Sequence, residues 1–148
     1  MNKNNKVKKT TLSEKQTFNL GLKFAQNLQG GEIIGLIGEL GAGKTVFIKG
    51  LSRGLGIKKT ITSPTFVLMK VYQIQNKKIK NLCHVDAYRL KSGQDLIDIG
   101  IKDYLGKSNA VTVIEWADRV KSILPKNKII VKIRSGKKQN QRIIEISK

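Results

Sequence analysis

Apolar residues recur along this chain with two periods, and the points where the period changes outline its elements. In SEKQTFNLGLKFAQNLQGG, Ser13 and Gln16 stand in capping-box spacing and Phe18, Leu22 and Ala25 follow at helical intervals; a helix is predicted, ended by Gly30 and Gly31. EIIGLIG is an apolar run of strand length. After a glycine-rich turn, KTVFIKGLSRGLG places Phe47, Leu51 and Leu55 on one helical face. Strand, loop and helix follow one another directly.

Pro64 in TITSPT marks a break. FVLMKVYQI and KIKNLCHVDAYRL then flank QNKK and read as two strands around a hairpin turn, a link too short for a parallel crossover, so the pair is predicted antiparallel. SGQDLIDIGIKDYL reads as short helical pieces divided at Gly100, and AVTVIE as another strand. WADRVKSILP reads as a helix stopped by Pro125, with Ala117, Val120 and Leu124 facing inward. KIIVKIR and RIIEI around SGKKQNQ make a last hairpin. With no internal repeat or second core, the expectation is one mixed sheet with helices against it.

Composition narrows the setting. A length of 148 residues suggests one domain, and a hydrophobic fraction of 39% with interspersed charge reads as soluble and globular. Residues 1–10 are expected to be a disordered basic tail, because Lys and Asn bring little apolar surface to bury, and 11–148 the domain. No apolar stretch follows the basic start and no run of about 18 apolar residues occurs, which argues against export and membrane spanning. The lone Cys83 excludes an internal disulfide, fits a reducing, cytoplasmic setting, and is read as core. The formal charge of +19 invites a nucleic-acid reading through phosphate contacts. Against it, Lys predominates, is scattered over the chain, and aromatics are only 5%, so no stacking platform stands out. A solvated Lys-rich surface, an acidic partner protein and an RNA-containing complex all remain open.

The chemistry begins at Gly38. GELGAGKT, from Gly38 to Thr45, fits G-x-x-x-x-G-K-[ST] at every fixed position, between a strand and a helix as that motif requires. Glycines let backbone approach phosphate oxygens, so N–H groups along Gly38, Gly41, Ala42, Gly43, Lys44, Thr45 and Val46 are the expected cradle. The helix N-terminus adds its dipole, Lys44 reaches the β- and γ-phosphates, and the Thr45 hydroxyl can ligate magnesium. ATP with Mg2+ is the expected ligand. Asn76-Lys77 is followed by Lys78 and Ile79 and lacks the acid of a guanine-reading N-K-x-D, and the Asn-Lys pairs at 2–3, 5–6 and 127–128 lack it as well.

Two acids compete for the metal. Glu115 ends AVTVIE, and in such folds the strand beside the phosphate loop carries an acid at its C-terminal end, so Glu115 is the expected magnesium-side acid. Asp86 ends LCHVD in the hairpin; it could position water, add a second ligand near the γ-phosphate, or cap the segment after it. Trp116 is either core or the crevice rim. His84 is read as a buried or half-buried strand residue. Thr62, Ser63 and Thr65 in TSPTF form either a switch sensing the γ-phosphate or a turn capped by hydroxyls.

Taken in order, GELGAGKT, GLSRGLG, TSPTF, HVDAYRL, IGIKDYL and VIEWADRV resemble the blocks of the TsaE family, bacterial ATPases of tRNA threonylcarbamoyladenosine (t6A) biosynthesis, from about Thr11 to Ile146. Members commonly carry Asp where this chain has Glu39, and often Phe-Asp-Leu-Tyr where it has Val85-Asp86-Ala87-Tyr88. The resemblance implies an α/β, three-layer P-loop NTPase-like fold with a mixed, mostly parallel sheet, antiparallel hairpins and helices on both faces. It further implies a Mg-dependent ATPase, weak when isolated, acting with TsaB and TsaD and meeting tRNA indirectly through them. On that reading Lys44, Asp86 and Glu115 serve catalysis, Thr45 and Glu115 the metal, Trp116 is needed, and Glu14 and Arg142 lie on the adenine side. A small P-loop kinase and a non-enzymatic RNA-binding module are the alternatives.

Overall fold

The computed structural model of the protein describes residues 5–39, 41–75 and 78–148. Seven strands are formed: β1 (Lys6–Thr11), β2 (Ile33–Ile37), β3 (Met69–Gln73), β4 (Asn81–Asp86), β5 (Ala110–Glu115), β6 (Ile129–Ser135) and β7 (Arg142–Ser147). They make one sheet in the order β1-β7-β6-β2-β5-β4-β3. The pairings β6–β2, β2–β5 and β5–β4 are parallel; β3–β4, β6–β7 and β1–β7 are antiparallel. The mixed sheet and both hairpins agree with the reading of the sequence; in the β3–β4 turn, Asn76 and Lys77 lie outside the described residues.

Strand alternation sorts the core into two layers. Ile34, Leu36, Leu82, Val111 and Val113 meet Phe47, Ile48 and Leu51 of α2 (Lys44–Gly54), which packs beside α1 (Glu14–Ala25). On the other side Ile33, Cys83, Val85 and Ile114 meet Leu96 of α3 (Gly93–Asp98), Ile101 of a 3₁₀ turn (Ile101–Asp103), and Ala117 and Val120. Burial pushes the Cys83 thiol up to about 12, so it remains an inert core thiol. Since Asp86 and His84 share parity with Leu82, and Glu115 with Val113, all three lie on the α2 side of the sheet.

The structure corrects three expectations and adds the packing face of α1. First, the chain is not tail up to residue 10: Lys6 to Thr11 pairs residue by residue with β7, and Lys6 bridges Glu145 at 3.2 Å. An edge strand is held by backbone bonds and needs little apolar content, and its lysines suit an exposed edge.

Second, the buried face of α1 is Thr17, Gly21 and Ala25, with Phe18 and Leu22 only half-buried. The reason is close approach: a Cβ on Gly21 would enter the Phe47 carbonyl, and one on Gly50 the Phe18 carbonyl. Small residues set how closely α1 and α2 approach, with Phe24 beside them 5.7 Å from Phe47 between ring centres. Ser13 caps α1 as expected, accepting from the Gln16 N–H at 3.1 Å, while Gln16 accepts from the Leu12 N–H at 2.8 Å.

Third, Phe66 to Leu68 lie outside β3. Leu68 adopts φ 69° and donates its N–H to the Pro64 carbonyl at 2.7 Å, turning the chain before the strand begins.

Fourth, residues 117–123 form 3₁₀ turns rather than an α-helix. Trp116 enters them with φ 59°, and Val120 leaves helical geometry at φ −128°, ψ 28°.

Candidate nucleotide site

Where β2 ends, the loop to α2 forms the floor of a 380 Å³ cleft at the C-terminal edge of the parallel strands. Gly41 and Gly43 have φ of 77° and 101°, left-handed values that favour glycine. Leu40 lies outside the described residues. Gly41, Ala42, Gly43, Lys44, Thr45 and Val46 line the cleft; Gly38 does not, and sits behind the loop against the Ile133 carbonyl.

Lys44 is buried, with 6% of its surface exposed. Its ammonium donates to the carbonyls of Gly38 and, at 2.9 Å, Glu39, and lies 4.3 Å from the centre of the Trp116 ring. Burial pushes this ammonium below the ordinary lysine range, while Glu115, Asp86, Asp118 and Glu39 draw it partly back. Trp116 therefore stands at the crevice rim, packed against Tyr88 at 5.0 Å between ring centres. A bulky side chain in the left-handed region is a strained choice. It folds the indole over the loop lysine.

The two acids are neighbours in register, Asp86 opposite Glu115 across β4 and β5. Glu115 is 3% exposed, and one carboxylate oxygen, Oε2, accepts from Ser63 Oγ at 2.9 Å and from His84 Nε2 at 2.8 Å. Ser63 Oγ lies 3.2 Å from Thr45 Oγ1, so hydroxyls and carboxylate form one chain from α2 to β5. An ionised carboxylate only accepts, which assigns the proton to Nε2 of His84. Asp86 has other partners: Oδ2 accepts from Thr65 Oγ1 at 3.1 Å and Oδ1 from the Tyr88 N–H at 3.0 Å. That second bond is an i to i+2 turn contact, not a helix cap.

Glu14 and Arg142 both line the cleft and are joined by Thr17 and Asn140, which the sequence did not single out. Arg142 donates to the carbonyls of Gly41 at 3.2 Å and Gln141 at 2.9 Å, bracing the loop. Thr17 pairs its hydroxyl with Thr11 at 2.7 Å, tying α1 to β1. Of the TSPTF hydroxyls, Ser63 and Thr65 reach the cleft, but Thr62 is exposed and meets Lys70 Nζ at 3.4 Å. His84 is the residue undervalued from sequence. Its signal was parity: two residues before Asp86 on one strand, it must share that acid's face.

Oxygen donors from Thr45, Ser63 and Glu115 suit a hard divalent cation. Among the described residues no group of three His, Cys, Asp or Glu could hold a metal. None of the described helices is long and apolar enough to cross a membrane.

A parallel strand, this glycine-rich loop, a helix opening on Lys44 and an acid closing the neighbouring strand define a P-loop NTPase. The family model described as "Threonylcarbamoyl adenosine biosynthesis protein TsaE" matches residues 11–144, and the chain belongs to this TsaE family. Among its relatives, the tRNA threonylcarbamoyladenosine biosynthesis protein TsaE of Treponema pallidum is 42% identical over 122 residues, covering 82% of this chain and 87% of the relative. The protein of that name from Rickettsia typhi is 37% identical over 142 residues, covering 94% and 93%. The crystal structure of Bacillus subtilis YdiB superposes with a TM-score of 0.79 at 28% identity, over 99% of this chain and 88% of that one.

Proposed function

We propose that this chain binds ATP with Mg2+ in the cleft and hydrolyses it, as the nucleotide-cycling component of the machinery that makes t6A in tRNA. It works with TsaB and TsaD in the cytoplasm and meets tRNA through them. The observation that carries the hydrolase reading is the hydrogen-bonded chain Thr45–Ser63–Glu115–His84 at the mouth of the phosphate loop. Family membership supplies the t6A context.

The roles follow from position. Backbone N–H groups of the loop cradle the phosphates, and Lys44 exchanges its carbonyl partners for the β- and γ-phosphates. Thr45 and Glu115 would hold magnesium, which when bound would supply neutralisation of the charge that develops on phosphate oxygens. Asp86, fixed by Thr65 and the Tyr88 N–H, orients the attacking water.

A small-molecule kinase needs arginines closing over the phosphates. Of Arg53, Arg89, Arg119, Arg134 and Arg142, only Arg142 lines the cleft, and it is bonded to carbonyls. The discriminating experiment is phosphate release from ATP with no acceptor present. Slow release that depends on magnesium supports the hydrolase; no release until a metabolite is added supports the kinase.

Two variants test the division of labour. Asp86→Asn is expected to leave the Kd for ATP–magnesium near that of the parent and to lower kcat on the order of 100-fold, in the range for a lost general base. A large loss of affinity in equilibrium binding would instead give Asp86 the metal. His84→Leu removes the donor to Glu115 and should lower kcat about 10-fold, as for other groups that orient a metal-side ligand. His84→Gln, which can return an N–H near the Nε2 position, should recover most of that loss; equal kcat in both variants would reduce His84 to packing.

A further inference from the structure

Beside the cleft the chain shows apolar surface that it does not bury. Phe66 is 82% exposed and Val67 59%. The segment holding them is pinned: the Leu68 N–H donates to the Pro64 carbonyl at 2.7 Å, the Met69 N–H to Val67 at 2.8 Å, and the Asp86 N–H to Leu68 at 3.0 Å. Leu68 accepts φ 69° and tucks its side chain against the core, so the fold tolerates backbone strain at Leu68 while the two residues before it are exposed. The border is cationic. The Arg89 guanidinium lies 4.5 Å from the Phe66 ring centre, and Arg119 lies 5.3 Å from that of Tyr88, itself 38% exposed.

We propose that Phe66 and Val67 are the anchor of a docking surface for a partner protein that offers an apolar pocket bordered by carboxylates. Charge complementarity to Arg89 and Arg119 selects the acidic border, and an aromatic and an aliphatic side chain side by side suit a desolvated pocket. A nucleic-acid base is the poorer occupant: Val67 offers no face for stacking, and Arg89 already covers one face of Phe66. The same segment enters the nucleotide site. Ser63 bonds Glu115 and Thr65 bonds Asp86, so occupancy of the cleft is felt within three residues of the anchor.

This inference rests on the proposed function, since the partner it names is the TsaB–TsaD pair. The test titrates the purified chain into that pair with ATP and magnesium at fixed salt, comparing wild type with Phe66→Ala and Arg89→Glu. Phe66→Ala should weaken the complex about 30-fold, as for a buried aromatic hot spot, while ATP hydrolysis by the isolated chain stays unchanged. Arg89→Glu should slow association. Equal affinity of wild type and Phe66→Ala overturns the proposal alone. Absence of any complex with wild type overturns the partner reading and, with it, this occupant. Loss of hydrolysis in isolated Phe66→Ala places the side chain in the nucleotide site instead, and tight, salt-steep binding of free tRNA that Phe66→Ala abolishes makes the occupant RNA; either result overturns the proposal.

Discussion

Glu115→Gln is expected to lower the magnesium-dependent kcat for ATP hydrolysis on the order of 1,000-fold while leaving magnesium-free nucleotide binding near the parent value. The amide keeps the shape of the side chain and can still accept from Ser63 and His84, so the fold around β5 should survive. What is lost is the negative charge at the end of β5, one strand away from the phosphate loop. A buried charge acts strongly because little water screens it, and Glu115 is only 3% exposed. The measurement is a magnesium titration of hydrolysis beside calorimetric nucleotide binding in chelator. Equal losses in both arms would mean that the substitution damaged the site as a whole.

The second large effect is on stability and is predicted far from the chemistry. Gly50→Val should destabilise the protein by about 3 kcal/mol, at the upper end for overpacking. At an exposed helical position, replacing Gly by Ala gains about 1 kcal/mol of helix propensity. Here the sign reverses, because the added Cβ enters the Phe18 carbonyl, where backbone rather than a flexible side chain must move. With roughly 2–4 °C per kcal/mol for a chain of this size, the thermal midpoint should fall by about 10 °C. An unchanged midpoint would show that the α1–α2 contact yields easily. A lowered midpoint should carry a weaker nucleotide site with it, since α2 begins at Lys44.

The strands were legible because their side chains alternate against two buried faces, as in AVTVIE, where every residue is buried. The phosphate loop was legible because its chemistry fixes residue types at fixed spacing. Three features were not, each for a physical reason. β1 is stabilised by backbone pairing to β7, which leaves no hydrophobic signal. The α1–α2 crossing depends on the absence of side chains at Gly21 and Gly50, and a missing Cβ reads as flexibility until its neighbour is known. The service of His84 to Glu115 depends on which strands are adjacent, and β4 meets β5 only through the long connection between them. Glu14 and Arg142 came from family resemblance and both line the cleft; Thr17 and Asn140, which line it too, carried no motif.

The central claim is that ATP hydrolysis by this chain drives repeated t6A formation by its partners. Its most direct test counts modified adenosines per transferase complex in a mixture of this chain, the TsaB–TsaD pair and tRNA. The account predicts continued rounds with ATP, and arrest after the first round with a non-hydrolysable analogue or with Glu115→Gln. Continued rounds that do not depend on ATP hydrolysis would contradict it.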